Sequence, residues 1–179
     1  MASTPINVNN TDINYGDRDT SAGARPMPYD LMGLLFFAYR DFVRDADALL
    51  ETQGMGRAHH RVLYFVNRKP GMTVAELLDI LRITKQSLAR VLRQLVDSGH
   101  IEQHPGETDR RQRLLFPTQK GRVFFETLSR LQAGRIEAAL AGMPEGSRRV
   151  ASQFLANMIE TSDRPVLEGL GLTKALKSQ

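Results

Sequence analysis

Residues 73–116 constrain the fold more than any other part of the chain, because they predict two short helices followed at once by a hairpin. The run Thr73-Val-Ala-Glu76 is a capping box, in which the threonine hydroxyl caps the helix start and the glutamate returns to the cap's own amide. The helix that it opens has one apolar face with helical spacing, formed by Val74, Leu77, Leu78 and Leu81. A short break at residues 82–84 then predicts a tight connection.

A second helix is predicted over residues 85–97, and Gly99 is the residue type expected just past its end. Its inward positions are Leu88, Val91, Leu92 and Leu95. Residues 100–104 then predict a strand, residues 105–109 a turn and residues 110–116 the returning strand. This order of elements predicts a winged helix-turn-helix, in a chain that is mainly α with a small β-hairpin wing.

Helices are also predicted on both sides of this segment, over residues 29–52, 57–69, 119–141 and 145–163, with a bend at Pro165 before a short helical piece. The helix over 119–141 is expected to bury Phe124, Leu128 and Leu131. The first and last long helices each carry two apolar stripes. A helix that is apolar on two sides packs against two bodies, here its own domain and a second copy of the chain.

The predicted organisation has four parts. Residues 1–28 are polar and are expected to form a flexible arm, with contact to DNA or to a partner subunit as the alternative. Residues 29–56 form an N-terminal dimerisation helix, residues 57–118 a winged helix-turn-helix DNA-binding domain, and residues 119–179 C-terminal dimerisation helices.

The outer face of the second short helix has side chains of the types that contact base edges in a major groove. With Leu88 at the centre of the buried face, Gln86, Arg90 and Arg93 lie on the opposite side, flanked by Ser87 and Ala89. Glutamine pairs with adenine edges, and arginine with guanine edges or phosphate. The candidate DNA-binding residues are Thr84, Lys85, Gln86, Ser87, Ala89, Arg90, Arg93, Asp109, Arg110, Arg111 and Arg113.

The predicted wing supplies the last four residues of that set. Three of them are arginines at the hairpin tip, where they can reach a minor groove. Asp109 is expected to orient one of them through a salt bridge. Residues 82–113 hold seven Lys or Arg and four Asp or Glu, so their net charge of +3 accounts for most of the chain's +4. The partner predicted from this concentration of charge is double-stranded DNA.

The chain resembles the MarR family of transcription regulators in TVAELLDILRITKQSLARVLRQLVDSGHIEQ and DRRQRLLFPTQKG. The most specific match is Asp109-Arg110-Arg111 followed by Thr118-Gln-Lys-Gly121, which is similar to the family's DRR…LTxxG pattern. Pro117 departs from it, because an apolar residue such as leucine is commoner there. Within the family, KQSLARVLRQLV is similar to the subgroup called PetP.

The resemblance implies a homodimer with interlocking terminal helices that binds pseudo-palindromic operators, usually as a repressor and in some members released by a small phenolic or other ligand. It implies that Arg111 is a minor-groove arginine oriented by Asp109, and that Ser87 and Arg90 are contact positions on the recognition helix. His59 and His60 are weak candidates for lining an effector pocket.

Several classes of function are not predicted. The chain has no cysteine, which excludes disulfides, thiolate metal sites and cysteine redox sensors and fits a cytoplasmic protein. No secretion signal, membrane span, metal site, cofactor motif or catalytic constellation is expected, so an enzyme is not predicted. The alternative to a DNA-binding regulator is a winged-helix module that only binds other proteins.

Overall fold

The computed structural model describes residues 26–173, which divide into two units after Phe36. Of the first unit, only residues 26–36 are described, and they are mainly the beginning of helix α1. The predicted arm at residues 1–28 therefore lies almost wholly outside the described residues. The helices are α1 (Tyr29–Glu51), α2 (Arg57–Arg68), α3 (Val74–Leu81), α4 (Lys85–Asp97), α5 (Gln119–Leu140), α6 (Ser147–Asn157) and α7 (Arg164–Gly169). The strands are β1 (Met72–Thr73), β2 (Ile101–Pro105) and β3 (Arg113–Pro117), and a 3₁₀ turn covers Thr161–Asp163.

Threonine hydroxyls fix the starts of three helices. The predicted capping box at α3 is confirmed, since Thr73 accepts from the Glu76 amide while the Glu76 carboxylate accepts from the Thr73 amide. Thr84 caps α4 and Thr118 caps α5 in the same way. Arg82, between α3 and α4, adopts a left-handed conformation with φ of 50°, which produces the tight connection of the helix-turn-helix.

The sheet has three antiparallel strands in the order β1-β3-β2. In the hairpin, Ile101 pairs with Pro117 and Pro105 with Arg113, so residues 106–112 form the tip of the wing. The two-residue strand β1 was not predicted, because its residues also open the capping box and carry no alternating pattern of their own. It pairs Met72 with Leu115 and thereby joins the wing to the start of α3.

The core lies between the C-terminal end of α1, helices α2 to α5 and the sheet. Its fully buried members include Leu50, Val62, Leu63, Val66, Met72, Leu77, Leu88, Leu95, Ile101, Leu115 and Leu128. Helix α5 approaches the wing closely: a Cβ on Gly121 would lie 2.0 Å from the His100 carbonyl oxygen. The same contact is held by Thr118, whose amide donates to the His100 oxygen, and by Lys120, whose Nζ donates to the Ser98 oxygen at 2.8 Å.

Four expectations about the secondary structure need correction. The returning strand begins at Arg113 rather than at residue 110, because the tip closes on itself through hydrogen bonds of its own. The first wing strand begins at Ile101, so His100 is not part of it. The last long helix covers only Ser147–Asn157. Pro165 lies in the first turn of α7, where its missing N–H costs nothing, instead of marking a bend before that helix.

Large apolar side chains remain exposed on three helices, α1, α5 and α6. In the first unit, Leu34 and Phe36 of α1 are 64% and 73% exposed. In the second, α6 exposes Val150, Phe154 and Leu155, and Leu131 of α5 is exposed although it was expected to be buried. Within residues 26–173, no helix combines the length and the apolar character needed to cross a membrane.

Candidate nucleic-acid interface

Helix α4 presents the predicted residues to solvent. Thr84, Lys85, Gln86, Ser87, Ala89, Arg90 and Arg93 are all exposed, whereas Leu88, Val91, Leu92 and Leu95 are buried. Two of the exposed residues also hold the helix start: Thr84 Oγ1 accepts from the Ser87 amide at 3.2 Å and donates to the Ser87 hydroxyl at 2.9 Å. The hydroxyl hydrogen of Ser87 is thereby left free to donate to a ligand.

The basic side chains of this face have no acidic partners. Among the ion pairs of residues 26–173, none involves Lys85, Arg90 or Arg93, and the same holds for Arg110 and Arg111 in the wing tip. An exposed cation without a carboxylate partner can form a charge-assisted hydrogen bond to an incoming anion without first losing another.

The wing tip is closed by its own backbone. The Gly106 amide donates to the Gln112 oxygen at 3.1 Å, and the Gln112 amide donates to the Asp109 oxygen at 3.0 Å. The expectation of an Asp109 salt bridge is wrong. The Asp109 carboxylate accepts instead from the backbone amide of Arg111 at 2.9 Å, which fixes the chain at Arg111 and leaves its guanidinium free. Arg113 differs from the other two, because its guanidinium donates to the Arg110 carbonyl oxygen.

One flank of α4 and the first wing strand share an open groove of about 490 Å³. Lys85, Ala89 and Arg93 line it from α4, and Gln103 lines it from β2. Gln103 was missed by the sequence analysis, because a single polar residue on a predicted strand gives no sign of its orientation. The groove places that flank of the helix beside Gln103 of the first wing strand.

The two histidines proposed as pocket residues differ in environment. His59 lies in the first turn of α2, where both ring nitrogens make hydrogen bonds, Nδ1 with the Gly56 amide and Nε2 with the Gln94 side chain. His60 is buried and lines a cavity of about 330 Å³. Burial lowers the pKa of His60, an effect partly opposed by Asp47.

The cavity beside His60 has aromatic and charged lining residues and contains an unsatisfied acceptor. Its lining includes Tyr39, Phe42, Val43, Asp47, Arg57, His60, Arg61, Tyr64, Phe65 and Gln132. Arg57 donates to one oxygen of the Asp47 carboxylate, while the other oxygen, Oδ1, is buried without a hydrogen-bond partner. Buried polar atoms in native proteins are nearly always paired, so this oxygen is an acceptor that a ligand's hydrogen-bond donor would satisfy.

The C-terminal segment contacts α2 and the turn between α3 and α4, which the sequence did not predict. Asp163 forms an ion pair with Arg82 at 2.8 Å, and the Arg68 guanidinium donates to the Leu170 oxygen at 3.3 Å. The Leu170 side chain is buried. One basic residue of the charged stretch is therefore already paired within the protein.

Comparison with known proteins agrees with this geometry. Residues 53–112 match the sequence model of the MarR family. The chain is 50% identical over 105 residues to the HTH-type transcriptional regulator PetP of Rhodobacter capsulatus, a match that covers 59% of this chain and 63% of PetP, just under two thirds of its length.

Among solved structures, the crystal structure of MarR superposes with a TM-score of 0.61 at 23% identity, covering 83% of this chain and 99% of that one. Streptococcus pneumoniae FabT, solved in complex with DNA, superposes with a TM-score of 0.64 at 21% identity, covering 73% and 93%. Residues 53–112 are thus similar to the MarR family, the chain is similar to PetP over 105 residues, and it shares the winged-helix fold of the solved structures.

Proposed function

We propose that this protein is a sequence-specific, DNA-binding transcription regulator, a repressor that acts as a homodimer on pseudo-palindromic operators. The observation that carries the proposal is the set of exposed cations on α4 without acidic partners among the described residues, two of which, Lys85 and Arg93, line a groove shared with β2. In a winged helix, such a face enters the major groove while the wing reaches the adjacent minor groove. FabT, which has the same fold, was solved in complex with DNA, and this supports DNA as the partner.

The proposed roles follow from side-chain chemistry. Gln86 and Arg90 are assigned to base edges, and Lys85 and Arg93 to phosphates at the border of the groove. Arg111 is assigned to the minor groove, because Asp109 fixes its backbone and leaves its guanidinium free.

The proposed partner in assembly is a second copy of the chain. Val150, Phe154 and Leu155 on α6 are between 46% and 65% exposed, and apolar surface of this kind marks interaction sites. Light scattering should give the mass of a dimer, and Phe154→Asp should shift it toward the monomer. Arg149→Asp, a neighbouring exposed polar position, serves as the control.

The proposed effector is a small aromatic molecule that donates a hydrogen bond, as a phenol does. The cavity beside His60 has the size of a small-ligand site, and Asp47 Oδ1 supplies the acceptor. A panel of phenols should raise the melting temperature by binding only the folded state. Asp47→Ala, which removes the carboxylate, should abolish that rise for any phenol whose hydroxyl is bound there.

DNA recognition is tested by selecting genomic fragments with the purified protein and then measuring binding to the selected sites by fluorescence anisotropy. We expect half-sites one helical turn apart and an affinity that falls steeply with added salt. Arg90→Glu and Arg111→Glu should each abolish specific binding, whereas Arg130→Glu, an equal change of charge on α5, should not.

A protein-interaction module predicts the opposite pattern. In that case no fragment would be preferred, and charge reversal at Arg90 and Arg111 would leave both nucleic-acid retention and target transcription unchanged. That result would refute the proposed function.

A further inference from the structure

The recognition helix α4 is bound to the connection between α1 and α2 by one polar side chain. Gln94 is half-buried on α4, next to the exposed Arg93. Its Oε1 lies 2.8 Å from His59 Nε2, and its Nε2 donates to the Gly54 carbonyl oxygen at 2.9 Å. The two partners belong to different segments, His59 to the first turn of α2 and Gly54 to the turn that ends α1.

The hydrogen bonds of Gln94 to His59 and Gly54, here called the Gln94 bridge, have a donor-to-acceptor direction that backbone groups determine at both ends. The Gly56 amide can only donate, so His59 Nδ1, 3.1 Å away, must be the acceptor and the ring proton must lie on Nε2. Nε2 then donates to Gln94 Oε1, which directs the Gln94 amino group toward the Gly54 carbonyl, a group that can only accept. With this histidine tautomer and this orientation of the Gln94 amide, each of the three hydrogen bonds therefore joins a donor to an acceptor.

The apolar contacts of α4 include no hydrogen bond that fixes its rotation. Leu88, Val91, Leu92 and Leu95 pack against the core, and the hydrophobic effect that drives this packing has no preferred direction. Side chains reach about 5–6 Å from a helix axis, so a rotation of roughly 10° moves their ends by about 1 Å. A hydrogen bond to a base edge does not tolerate that displacement.

We infer that Gln94, held by His59 and Gly54, is a positioning residue that sets the rotation of α4 and thereby its discrimination between base sequences. The inference rests on the proposed DNA-binding function. Gln94 itself is not assigned to DNA. Its loss therefore affects contacts to base edges, which need an accurate position, more than contacts to phosphates, which flexible arginine and lysine side chains can restore.

Two variants break the bridge from opposite sides. Gln94→Met keeps the length of the side chain and removes both hydrogen bonds. His59→Asn keeps a side-chain acceptor for the Gly56 amide but is too short to reach Gln94, and it leaves α4 unaltered. Gln119→Met, at an exposed position of α5 without a side-chain hydrogen bond, is the matched control.

The measurement is the ratio of affinities for a selected operator and for random duplex DNA, by fluorescence anisotropy at several salt concentrations. For the two bridge variants we expect this ratio to fall about tenfold, the size of one good base contact, while random-duplex affinity and its salt dependence stay within about twofold of wild type. The control should match wild type.

An unchanged ratio in both bridge variants would overturn the inference, as would an equal loss of affinity for operator and random DNA, which would indicate a purely structural role. Wild-type protein that does not prefer any operator would refute the proposed function itself, and the positioning role with it. The two failures are therefore distinguishable.

Discussion

Substitution of Gly121 by alanine tests the close approach between α5 and the wing. The added Cβ would lie 2.0 Å from the His100 carbonyl oxygen, where ordinary contact needs more than 3 Å. Helix and wing must therefore separate by roughly 1 Å or more, which weakens the hydrogen bonds that Thr118 and Lys120 make to residues 98–100. Because each such bond contributes about 1 kcal/mol, the free energy of unfolding should fall by roughly 2–3 kcal/mol.

For a chain of this size that loss corresponds to a decrease of about 4–12 °C in melting temperature, measured by circular dichroism at 222 nm. Gly134→Ala in the same helix is the matched control, since its Cβ meets no atom within 4 Å and alanine favours a helix. The control should be neutral or stabilising by up to about 1 kcal/mol. A melting temperature for Gly121→Ala equal to that of the control would refute the reasoning.

Three further predictions concern pH and the wing. Burial lowers the pKa of His60 and of His100 below 6.5, so the unfolded chain takes up protons at a higher pH than the folded protein does. The melting temperature should therefore decrease as the pH is lowered from 7.5 to 5.5, and His60→Gln should make that decrease smaller. The hydrogen bond from Lys69 holds the pKa of Glu76 below 4.5, so stability is lost as the pH falls from 4.5 through that lower value; Glu76→Gln should flatten this part of the denaturation profile. Gly106→Ala would place a Cβ 2.7 Å from the backbone carbonyl oxygen of Asp109 and so open the wing tip. Anisotropy should then detect weaker operator binding, with little change in melting temperature.

Local signals in the sequence predicted much of the helix-turn-helix. The Thr73–Glu76 capping box, the apolar spacing of α4 and the glycine past its end each depend on residues close in the chain, and the observed bounds of α4 agree with the prediction. Exposure of Arg90 and Arg93 followed from the same periodicity, because one buried face fixes the opposite one.

Contacts between distant segments could not be predicted in the same way. The pairing of β1 with β3 joins residues about forty positions apart, and nothing in Met72 or Thr73 distinguishes a strand from a helix entry. Likewise, Gln94 and His59 are 35 positions apart, and their hydrogen bond depends on the packing of α2 against α4. The orientation of Asp109 depended on tip geometry, which an Asp among arginines does not specify.

The closed wing tip also reduces the conformational entropy that the protein loses when it binds DNA. Ordering a flexible loop costs about 1–2 kcal/mol of conformational entropy per residue. In this protein the hydrogen bonds joining Gly106 to Gln112, Gln112 to Asp109 and Asp109 to Arg111 order the tip during folding. The entropy that remains to be lost when the wing meets a duplex is therefore that of the arginine side chains rather than that of the backbone.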